Sequence, residues 1–499
     1  PPIEWQRSFG GTNGDTLYAL LQTSDGGFIL GGESASGATG NKTSANFGGQ
    51  DFWVVRLDPN GNKVWDYSFG GSGSDVLFSL QQTSDGGFVL GGSSDSAISG
   101  NKSAAKLGAR DFWVVRLDAS GNKLWDRSFG GTGEDVLFGL QNTADGGFLI
   151  GGFSSSGISG NKTSQNLGGN DFWVVRLNAN GSNVWDKSFG GTEDDGIYSL
   201  QQTGDGGFIL AGNSYSASTG NKTSTNFGSD DIWIARLDAS GNKLWDRSFG
   251  GSGDDGFFNV AIQQTADGGF VLGGDSTSPA DGNKTSAPFG QDDFWVIRLD
   301  ANGNKLWDRS FGGQDNDYLT SLTQTTDGGF LLGGGSNSGT NSTKTSMGFG
   351  LTDFWVVRVD TNGNRLWDKS FGGTAADGFF NVSLRSTSDG GFLLGGDSRS
   401  GINGNKTAAG LGSEDFWIVK LNGAQPLRLR AVAQSNIGQS GFRFFLSGAV
   451  NAFYVIDYSL NLVQWTPLRT NQLNAAEVEI TDLEARTDSH RFYRARNWP

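Results

Sequence analysis

The chain has 499 residues, with 52 acidic against 37 basic side chains, a formal net charge of −15, no cysteine and a single histidine, His490. This composition excludes a disulfide framework, a thiolate nucleophile, a His-dependent triad and multi-histidine or thiolate metal sites. The acidic charge argues against nucleic acid as a partner, and no apolar run is long enough for membrane insertion. Because the chain opens at Pro1 rather than Met, we expect a secreted or cell-surface protein whose signal peptide has been removed.

Three short motifs recur along most of the chain, at intervals of 60 or 62 residues. Phe-Gly-Gly starts at Phe9, Phe69, Phe129, Phe189, Phe249, Phe311 and Phe371. Asp-Gly-Gly-Phe starts at Asp25, Asp85, Asp145, Asp205, Asp267, Asp327 and Asp389. Asp-(Phe/Ile)-Trp starts at Asp51, Asp111, Asp171, Asp231, Asp293, Asp353 and Asp415. Seven copies of each motif predict seven structural units.

Each unit is predicted to contain four short antiparallel strands, rich in β-branched and aromatic residues and bounded by Gly, Asn or Asp. For the second copy we assign the strands approximately to Val76–Thr83, Gly87–Gly92, Asp111–Leu117 and Lys63–Phe69. Ser84–Gly87 is expected to form a hairpin turn, and so is Asp58–Asn62. The segment DFWVVRL is apolar on both faces, which is expected of a strand between two neighbouring sheets.

Four antiparallel strands repeated at this length are typical of a propeller blade, so the sequence predicts a seven-bladed β-propeller. The chain begins with a fourth strand, Ile3–Phe9, and the last copy ends after a third strand, Asp415–Leu421. We predict that these two segments pair in one blade, which closes the ring and removes two exposed sheet edges.

The run GNKLWDRSFGGSGDD, followed by QQTADGGFVLGG and DFWVIRLDANGNKLW, resembles the bacterial seven-bladed β-propeller repeat family known as SBBP. The resemblance covers about residues 3–424 and rests on seven tandem copies. It implies an exported or surface-associated protein, and it implies no particular chemistry.

The composition changes after residue 424, and we predict a propeller domain at 1–424 and a small β-sandwich at 425–499. Its predicted strands are Phe442–Leu446, Phe453–Tyr458, Val463–Leu468, Ala476–Ile480 and Arg491–Arg496. The segment YVIDYSLNLVQWTPLRTNQL is similar to the fibronectin-III-like modules that end many large secreted bacterial proteins. The resemblance implies a surface-attachment or sorting module, and a simple capping domain is the alternative.

Features present in every copy are expected to serve folding, because a catalytic or ligand-specific group is needed only once. Fourteen of the sixteen tryptophans occupy two repeat positions, represented by Trp53 and Trp65, and we expect them to fill the space between sheets. Arg56 and its equivalents are expected to stack on a tryptophan or to pair with the aspartate represented by Asp66.

The connection between the second and third strands has a constant length, which predicts an ordered loop, with seven such loops on one face. Its pattern (Gly/Ala)-Gly-x-Ser-x-Ser has two variable positions, where we place candidate contacts to a surface glycan or an extracellular protein; neutral drift is the alternative. These candidates are Glu33, Asp95, Phe153, Tyr215, Asp275, Asn337, Asp397 and Arg399. The first strand is two residues longer in copies five and seven, which either shapes the central channel or forms a bulge.

No cofactor is expected, with Ca²⁺ as the alternative. The acidic tips after Phe-Gly-Gly offer three candidate calcium ligands, Asp135, Asp195 and Asp255. The Asp-x-Asn-Gly-Asn turns, such as Asp58–Asn62, are better explained as hairpin turns, because no bidentate glutamate follows at the spacing of a calcium loop.

The leading functional hypothesis is a secreted, non-catalytic binding or scaffold protein that presents a multi-loop face to a glycan or protein partner. The first alternative is a carboxylate-based glycoside hydrolase or lyase, with Glu33, Asp95, Asp275 and Asp397 as the suspected acids. The second is a structural subunit of an extracellular assembly, either a homo-oligomer or part of a larger complex.

Overall fold

The computed structural model describes residues 2–423, 428–432, 441–448, 453–473, 477–486 and 490–497. The predicted domain boundary at residue 424 lies outside them. Within these ranges the fold is all-β, and the one helical element is the 3-10 turn Glu484–Arg486. None of the described segments forms a helix long and apolar enough to cross a membrane.

The repeat region contains 28 strands in the described part of the chain. The first half comprises β1 (Ile3–Phe9), β2 (Asp15–Gln22), β3 (Phe28–Ser34), β4 (Asp51–Leu57), β5 (Lys63–Phe69), β6 (Asp75–Gln82), β7 (Phe88–Ser94), β8 (Asp111–Leu117), β9 (Lys123–Phe129), β10 (Asp135–Asn142), β11 (Phe148–Ser154), β12 (Asp171–Leu177), β13 (Asn183–Phe189) and β14 (Asp195–Gln202). The second half comprises β15 (Phe208–Ser214), β16 (Asp231–Leu237), β17 (Lys243–Phe249), β18 (Asp255–Gln264), β19 (Phe270–Ser276), β20 (Asp293–Leu299), β21 (Lys305–Phe311), β22 (Asp317–Gln324), β23 (Phe330–Ser336), β24 (Asp353–Val359), β25 (Arg365–Phe371), β26 (Asp377–Ser386), β27 (Phe392–Ser398) and β28 (Asp415–Leu421).

These strands form propeller-like sheets of four. Sheets 1 to 6 are β2–β5, β6–β9, β10–β13, β14–β17, β18–β21 and β22–β25, and sheet 7 has the order β1-β28-β27-β26. The N-terminal strand therefore lies beside the last third strand, as predicted. The assignment of Lys63–Phe69 to the second copy is wrong, because this strand pairs with Asp51–Leu57 in sheet 1. The short Asp58–Asn62 turn keeps the third and fourth strands in one sheet.

Both predicted hairpins are present, and each uses an aspartate to hold its turn. In the first, Gly86 takes a φ of 83° and the Thr83 hydroxyl donates to Asp85 at 2.6 Å. In the second, the Asp58 carboxylate accepts from the backbone N–H groups of Asn60 and Asn62 at 2.9 and 2.8 Å. The Asp-x-Asn-Gly-Asn residues thus satisfy one another within the turn.

The core lies between neighbouring sheets, where the third strands are buried along their whole length, as expected of DFWVVRL. The Trp53 ring packs on Phe416 of sheet 7, and Phe52 packs on Trp113 of sheet 2, both with centroids 4.6 Å apart. The tryptophans of the third strands thus fill the space between sheets.

The repeated cation of the third strand forms an internal ion pair, but with a different partner from the one expected. Arg56 pairs with Asp25 of the first hairpin at 2.6 Å and donates to the Phe28 carbonyl at 3.0 Å. Asp66 instead accepts from the indole N–H of Trp53 and pairs with Lys63. The register explains the difference, because Arg56 points toward the end of the sheet that carries the Asp-Gly-Gly turn.

The long connection is ordered, as its constant length predicted. Asn41 accepts from the Gly10 N–H at 3.0 Å and donates to the Ser8 carbonyl at 2.9 Å, which ties the loop to the preceding Phe-Gly-Gly turn. The adjacent Lys42 is buried, lies over the Trp53 ring at 5.8 Å, and donates to the Ser68 hydroxyl at 2.8 Å.

The chain divides into two compact units, one formed by Trp5–Arg385 and Leu393–Val419, and the other by Pro1–Glu4, Ser386–Phe392 and Lys420–Pro499. The second unit contains β29 (Arg428–Ala431), β30 (Phe442–Ser447), β31 (Phe453–Ser459), β32 (Thr466–Gln472), β33 (Glu477–Asp482) and β34 (Phe492–Asn497). They form two three-stranded sheets, β29-β30-β33 and β32-β31-β34, around a small apolar cluster that includes Phe444, Leu446 and Ile456.

Candidate ligand-binding site

A cavity of about 410 Å³ lies between the first strands of all seven four-stranded sheets. Sites for small ligands usually occupy roughly 300–1,000 Å³, so this volume suits a small molecule or the end of a larger one. Sheets 1 to 6 each contribute three to five consecutive residues of the first strand, and sheet 7 contributes the alternate residues Asn381, Ser383 and Arg385. The wall is therefore built from seven variants of one sequence.

An aromatic arc covers one side of the cavity. It consists of Tyr18, Phe78, Phe138 and Tyr198, from sheets 1 to 4, with successive ring centroids 4.9, 4.8 and 5.2 Å apart. The pairing register breaks at each of these residues, for example between Leu17 and Ala19, so the aromatic residue is the extra residue of a β-bulge. A bulge redirects a side chain, and here it leaves the ring facing the cavity instead of the sheet.

A polar arc covers the other side and comes from sheets 5 to 7. Its residues are Asn259, Thr320 and Asn381. In sheet 6, Thr320 occupies the same bulge as the aromatic residues, between Leu319 and Ser321. In sheet 5 the first strand is longer, and β18 breaks register between Asp255 and Val260, ahead of the position where β2 has its bulge. Both interpretations of the longer first strands therefore apply: the extra residues alter the bulge, and the altered bulge shapes the cavity. Asn381 donates to the Tyr18 carbonyl at 2.8 Å, which fixes its amide.

A ring of amide side chains forms the next layer along the strands. Gln141, Gln201 and Gln263 each accept a hydrogen bond from a backbone N–H of the next sheet, at 2.5, 2.6 and 2.7 Å. This bond fixes the orientation of each amide, and its nitrogen can donate to a ligand. Thr323 and Arg385 occupy the same layer in sheets 6 and 7.

The eight candidates from the variable positions fall into two groups. Four of them lie in the second strands β3, β11, β19 and β27: Glu33, Phe153, Asp275 and Asp397. Placing these four in the loop was wrong, because the pairing of those strands extends two residues past the glycines. The other four follow those strands: Asp95 and Tyr215 are half-buried, while Asn337 and Arg399 are exposed. None of the eight lines the cavity, and their role as ligand contacts stays a prediction.

Several of these residues nevertheless lie close to the aromatic arc. Phe153 packs on Phe138 with centroids 6.0 Å apart. Burial raises the pKa of Tyr18, and the nearby charges of Glu33, Asp397 and Glu414 raise it further. Some of the variable positions thus lie near the strand-start end of the cavity, beside the aromatic arc.

Two buried acids at this end have strongly raised pKa values. Burial raises the pKa of Glu33 to about 7, with a further contribution from the charge of Glu414. Burial also raises the pKa of Asp230 to about 8, with Asp275 contributing, against the opposing hydrogen bond from Asn213 at 2.9 Å. Asp230 carries no sequence signal of its own, because it occupies the variable position before the third strand.

The three calcium candidates occupy a repeated, buried position at the start of the first strand. The Asp135 carboxylate accepts from the Gly131 N–H and the Ser156 hydroxyl, both at 2.9 Å, and Asp195 and Asp255 make the equivalent bonds. In the described part of the chain, no group of three or more acidic or histidine side chains is arranged to hold a metal ion.

Sequence reasoning missed the cavity lining. In the sequence, an aromatic residue recurs at the fourth position of the first strand in the first four copies. Arg385 stands in the sequence where copies two to five have glutamine. Both lie in apolar strands, where the surrounding pattern indicates a core and not a site.

No family model and no curated protein matches the chain. Among solved structures, the chain is similar to a protein of unknown function from Dyadobacter fermentans DSM 18053, at 11% identity and a TM-score of 0.41, over 84% of this chain and 100% of that chain. A puromycin hydrolase S511A mutant complexed with PGG matches at 11% identity and a TM-score of 0.39, over 80% of this chain and 52% of that chain. A glycoside hydrolase family 32 protein from Bifidobacterium adolescentis matches at 9% identity and a TM-score of 0.28, over 99% and 88%. At these values the similarities carry no information about the activity of this chain.

Proposed function

We propose that this chain is a non-catalytic binding protein whose ligand is a glycan held in the cavity between the seven first strands. The observation that carries the proposal is the two-sided lining, with an aromatic arc opposite an arc of amides and hydroxyls. Pyranose rings present C–H faces that pack on aromatic rings and hydroxyl edges that need donors and acceptors. A site with both surfaces matches that chemistry.

We also propose that the seven sheets form a closed seven-bladed β-propeller with the cavity on its axis. Support comes from the contacts that lead from each sheet to the next. Aromatic pairs with centroids 4.4–4.8 Å apart join most neighbours, sheets 4 and 5 share the cluster of Ile232 and Trp295, and Trp53 returns to Phe416 of sheet 7. Closure explains why a single cavity is lined by all seven first strands.

The remaining elements of the proposal rest on the two resemblances. The protein would be secreted or surface-associated, as the SBBP-like repeats imply. The C-terminal strands would form a small fibronectin-III-like sandwich that tethers the propeller. A glycan ligand fits that location.

The alternative of a carboxylate-based hydrolase has less support. Glu33, Asp275 and Asp397 are 8%, 1% and 0% exposed, and the half-buried Asp95 lies outside the cavity lining. A general acid must come within hydrogen-bond reach of the bond it protonates. The raised pKa values of Glu33 and Asp230 would suit such a role, but burial keeps both carboxyl groups away from a ligand in the cavity.

Calorimetric titration with a panel of neutral and acidic oligosaccharides tests the proposal, combined with an assay for newly released reducing ends. We expect saturable binding without product. Tyr198→Ala should weaken binding, and Tyr67→Ala, on the outer strand β5, is the matched control. Product release that depends on Glu33 or Asp230 would establish the hydrolase instead. If the chain binds an extracellular protein, and Tyr198→Ala does not weaken that binding, the proposed glycan site would be overturned.

A further inference from the structure

The cavity contains one charged side chain among its described lining residues, Arg385. It lies on β26 of sheet 7, at the position that holds Gln81, Gln141, Gln201 and Gln263 in sheets 2 to 5. The equivalent residue is Leu21 in sheet 1 and Thr323 in sheet 6, so a charged side chain occurs at this position in one sheet of the seven. A single guanidinium inside a cavity is the pattern expected of a ligand-specific group.

The surroundings of Arg385 differ from those of the repeated arginines of the third strands. Arg56, Arg116, Arg176, Arg236, Arg298 and Arg358 each form an ion pair with the aspartate of the adjoining hairpin. Within the described residues Arg385 has no acidic partner. Its Nη1 atom donates to the Leu384 carbonyl at 2.8 Å and lies 3.5 Å from the Ser321 hydroxyl. The side chain is exposed in the cavity, and its Nε and Nη2 donors are left for a ligand.

A guanidinium stays protonated at any physiological pH, and its planar fork matches the two oxygens of a carboxylate. The rest of the lining supplies aromatic faces, amides and hydroxyls, which suit a sugar ring. We propose that Arg385 selects a carboxylate-bearing sugar, a uronic acid residue, and that the polar arc and amide ring orient it. This inference rests on the proposed glycan-binding function and adds the class of glycan to it.

The cavity is asymmetric in a way that suits a uronate, because polar groups of sheets 6 and 7 lie together around Arg385. Asn381 and Arg385 both come from the first strand of sheet 7, four residues apart, and Thr320 and Ser321 come from the neighbouring strand of sheet 6. A uronate whose carboxylate meets Arg385 would therefore place its hydroxyls among the donors and acceptors of sheets 6 and 7. Its apolar face would be left for the aromatic arc.

The test uses the full chain and matched sugar pairs, D-glucuronate with D-glucose and D-galacturonate with D-galactose, in calorimetric or NMR titrations. In the wild type we expect at least one uronate to bind roughly 10- to 100-fold more tightly than its neutral parent, since hydrogen bonds to charged groups contribute that much. Arg385→Gln introduces the residue of sheets 2 to 5 and should lower the affinity for the uronate to about that of its neutral parent, which abolishes this preference.

Arg127→Gln is the matched control, because Arg127 also donates Nη1 to the preceding carbonyl but lies on the outer strand β9. It should leave the preference intact. Equal binding of uronate and neutral sugar by the wild type would overturn the inference and leave the proposed function standing. A sulfated sugar that binds more tightly than either uronate would also overturn it. Failure of the folded wild type to bind any sugar of the panel would refute the proposed function itself.

Discussion

Asp51 and Asp75 are two buried carboxyl groups that converge on Gly70, the first glycine of a Phe-Gly-Gly motif. A Cβ added to Gly70 would lie 1.9 Å from Asp51 Oδ1 and 2.9 Å from Asp75 Oδ2. Asp51 accepts from the Phe47 N–H at 2.6 Å, and Asp75 accepts from Gly71 and Ser96, both at 2.8 Å. The glycine is therefore required by the approach of two acids, an arrangement that recurs at the other sheet junctions.

The first prediction follows from the protonation of these acids. Burial raises the pKa of Asp51 to about 6, and the charge of Asp75 adds to the effect while Lys42 opposes it. The folded state then holds a proton that the unfolded state has released, so stability falls as pH rises from about 4 to about 6. Asp353 and Asp415 have similar values, so the melting temperature should be higher at pH 5 than at pH 8.

Asp51→Asn should raise the melting temperature at pH 8, by a stabilisation on the order of 1 kcal/mol, and reduce its dependence on pH. The matched control is Asp58→Asn in the exposed hairpin, where sheet 3 already carries Asn178 with the same turn hydrogen bonds. This control should leave the difference between pH 5 and pH 8 unchanged. An Asp51→Asn variant that is less stable at pH 8 would contradict the assignment of a costly charge.

The second prediction concerns Gly70 itself. Gly70→Ala should destabilise the protein by roughly 1–3 kcal/mol, because the new methyl group displaces a buried carboxyl group from its hydrogen bonds. Gly37→Ala is the control, since a Cβ there would meet nothing within 4 Å. Thermal melts followed by tryptophan fluorescence compare the two, and equal melting temperatures would count against the close approach at Gly70.

The sequence predicts which repeated residues serve the fold, but it does not predict which residues they contact. Recurrence in every copy correctly indicated that Trp53 and Arg56 serve the fold. The partner of Arg56 was missed because the sequence does not show which hairpin lies at which end of a strand. The burial of Lys42 was missed because lysine is usually exposed, and only the ordered loop supplies its hydrogen-bond acceptors.

At the scale of elements, the bulge in the first strand determines what the cavity presents. Leu17 and Leu20 on either side of the bulge are buried, and Tyr18 between them is turned toward the cavity. Periodicity cannot reveal this, because one unpaired residue shifts the alternation of faces and the segment DTLYALLQ reads as a continuous apolar run. The strand was therefore predictable and its cavity-facing residue was not.

The third prediction separates the bulge residue from its buried neighbours. Phe78→Ala should lower glycan affinity roughly three- to ten-fold, as expected for one lost aromatic contact, with little change in melting temperature. Leu77→Ala, one residue away and fully buried, should lower stability by roughly 2–5 kcal/mol. Titration and thermal melts of both variants check this. A Phe78→Ala variant that melts as low as Leu77→Ala would show that Phe78 serves the core.

At the scale of the whole molecule, sheet 7 must be completed by β1, a strand that is distant in sequence. Residues of β1 differ from those of the other fourth strands. Lys63 and Asp66 of the repeated fourth strand are replaced by Ile3 and Gln6, so a salt bridge is exchanged for an amide. Gln6 Oε1 accepts from Trp417 Nε1 at 3.2 Å, and its amide donates to the Asn405 carbonyl at 2.8 Å. The phase of the repeat predicted this pairing, although the amide exchange is visible only in the structure.

The last prediction tests closure through that strand. Deleting residues 1–9 leaves sheet 7 with three strands and exposes the edge of β28, which invites pairing with other chains. We expect a lower melting temperature and concentration-dependent aggregation, measured by thermal melts and light scattering. Because a truncated chain could also fail for unrelated reasons, a synthetic peptide of residues 1–11 should be added back. If the strand binds where the structure places it, the peptide raises the melting temperature in a saturable manner, since a ligand that binds only the folded state stabilises it.

The same peptide carrying Gln6→Ala should bind more weakly, because Trp417 and Asn405 lose their hydrogen-bond partner. Equal rescue by the two peptides would show that the edge of sheet 7 is not filled in this register.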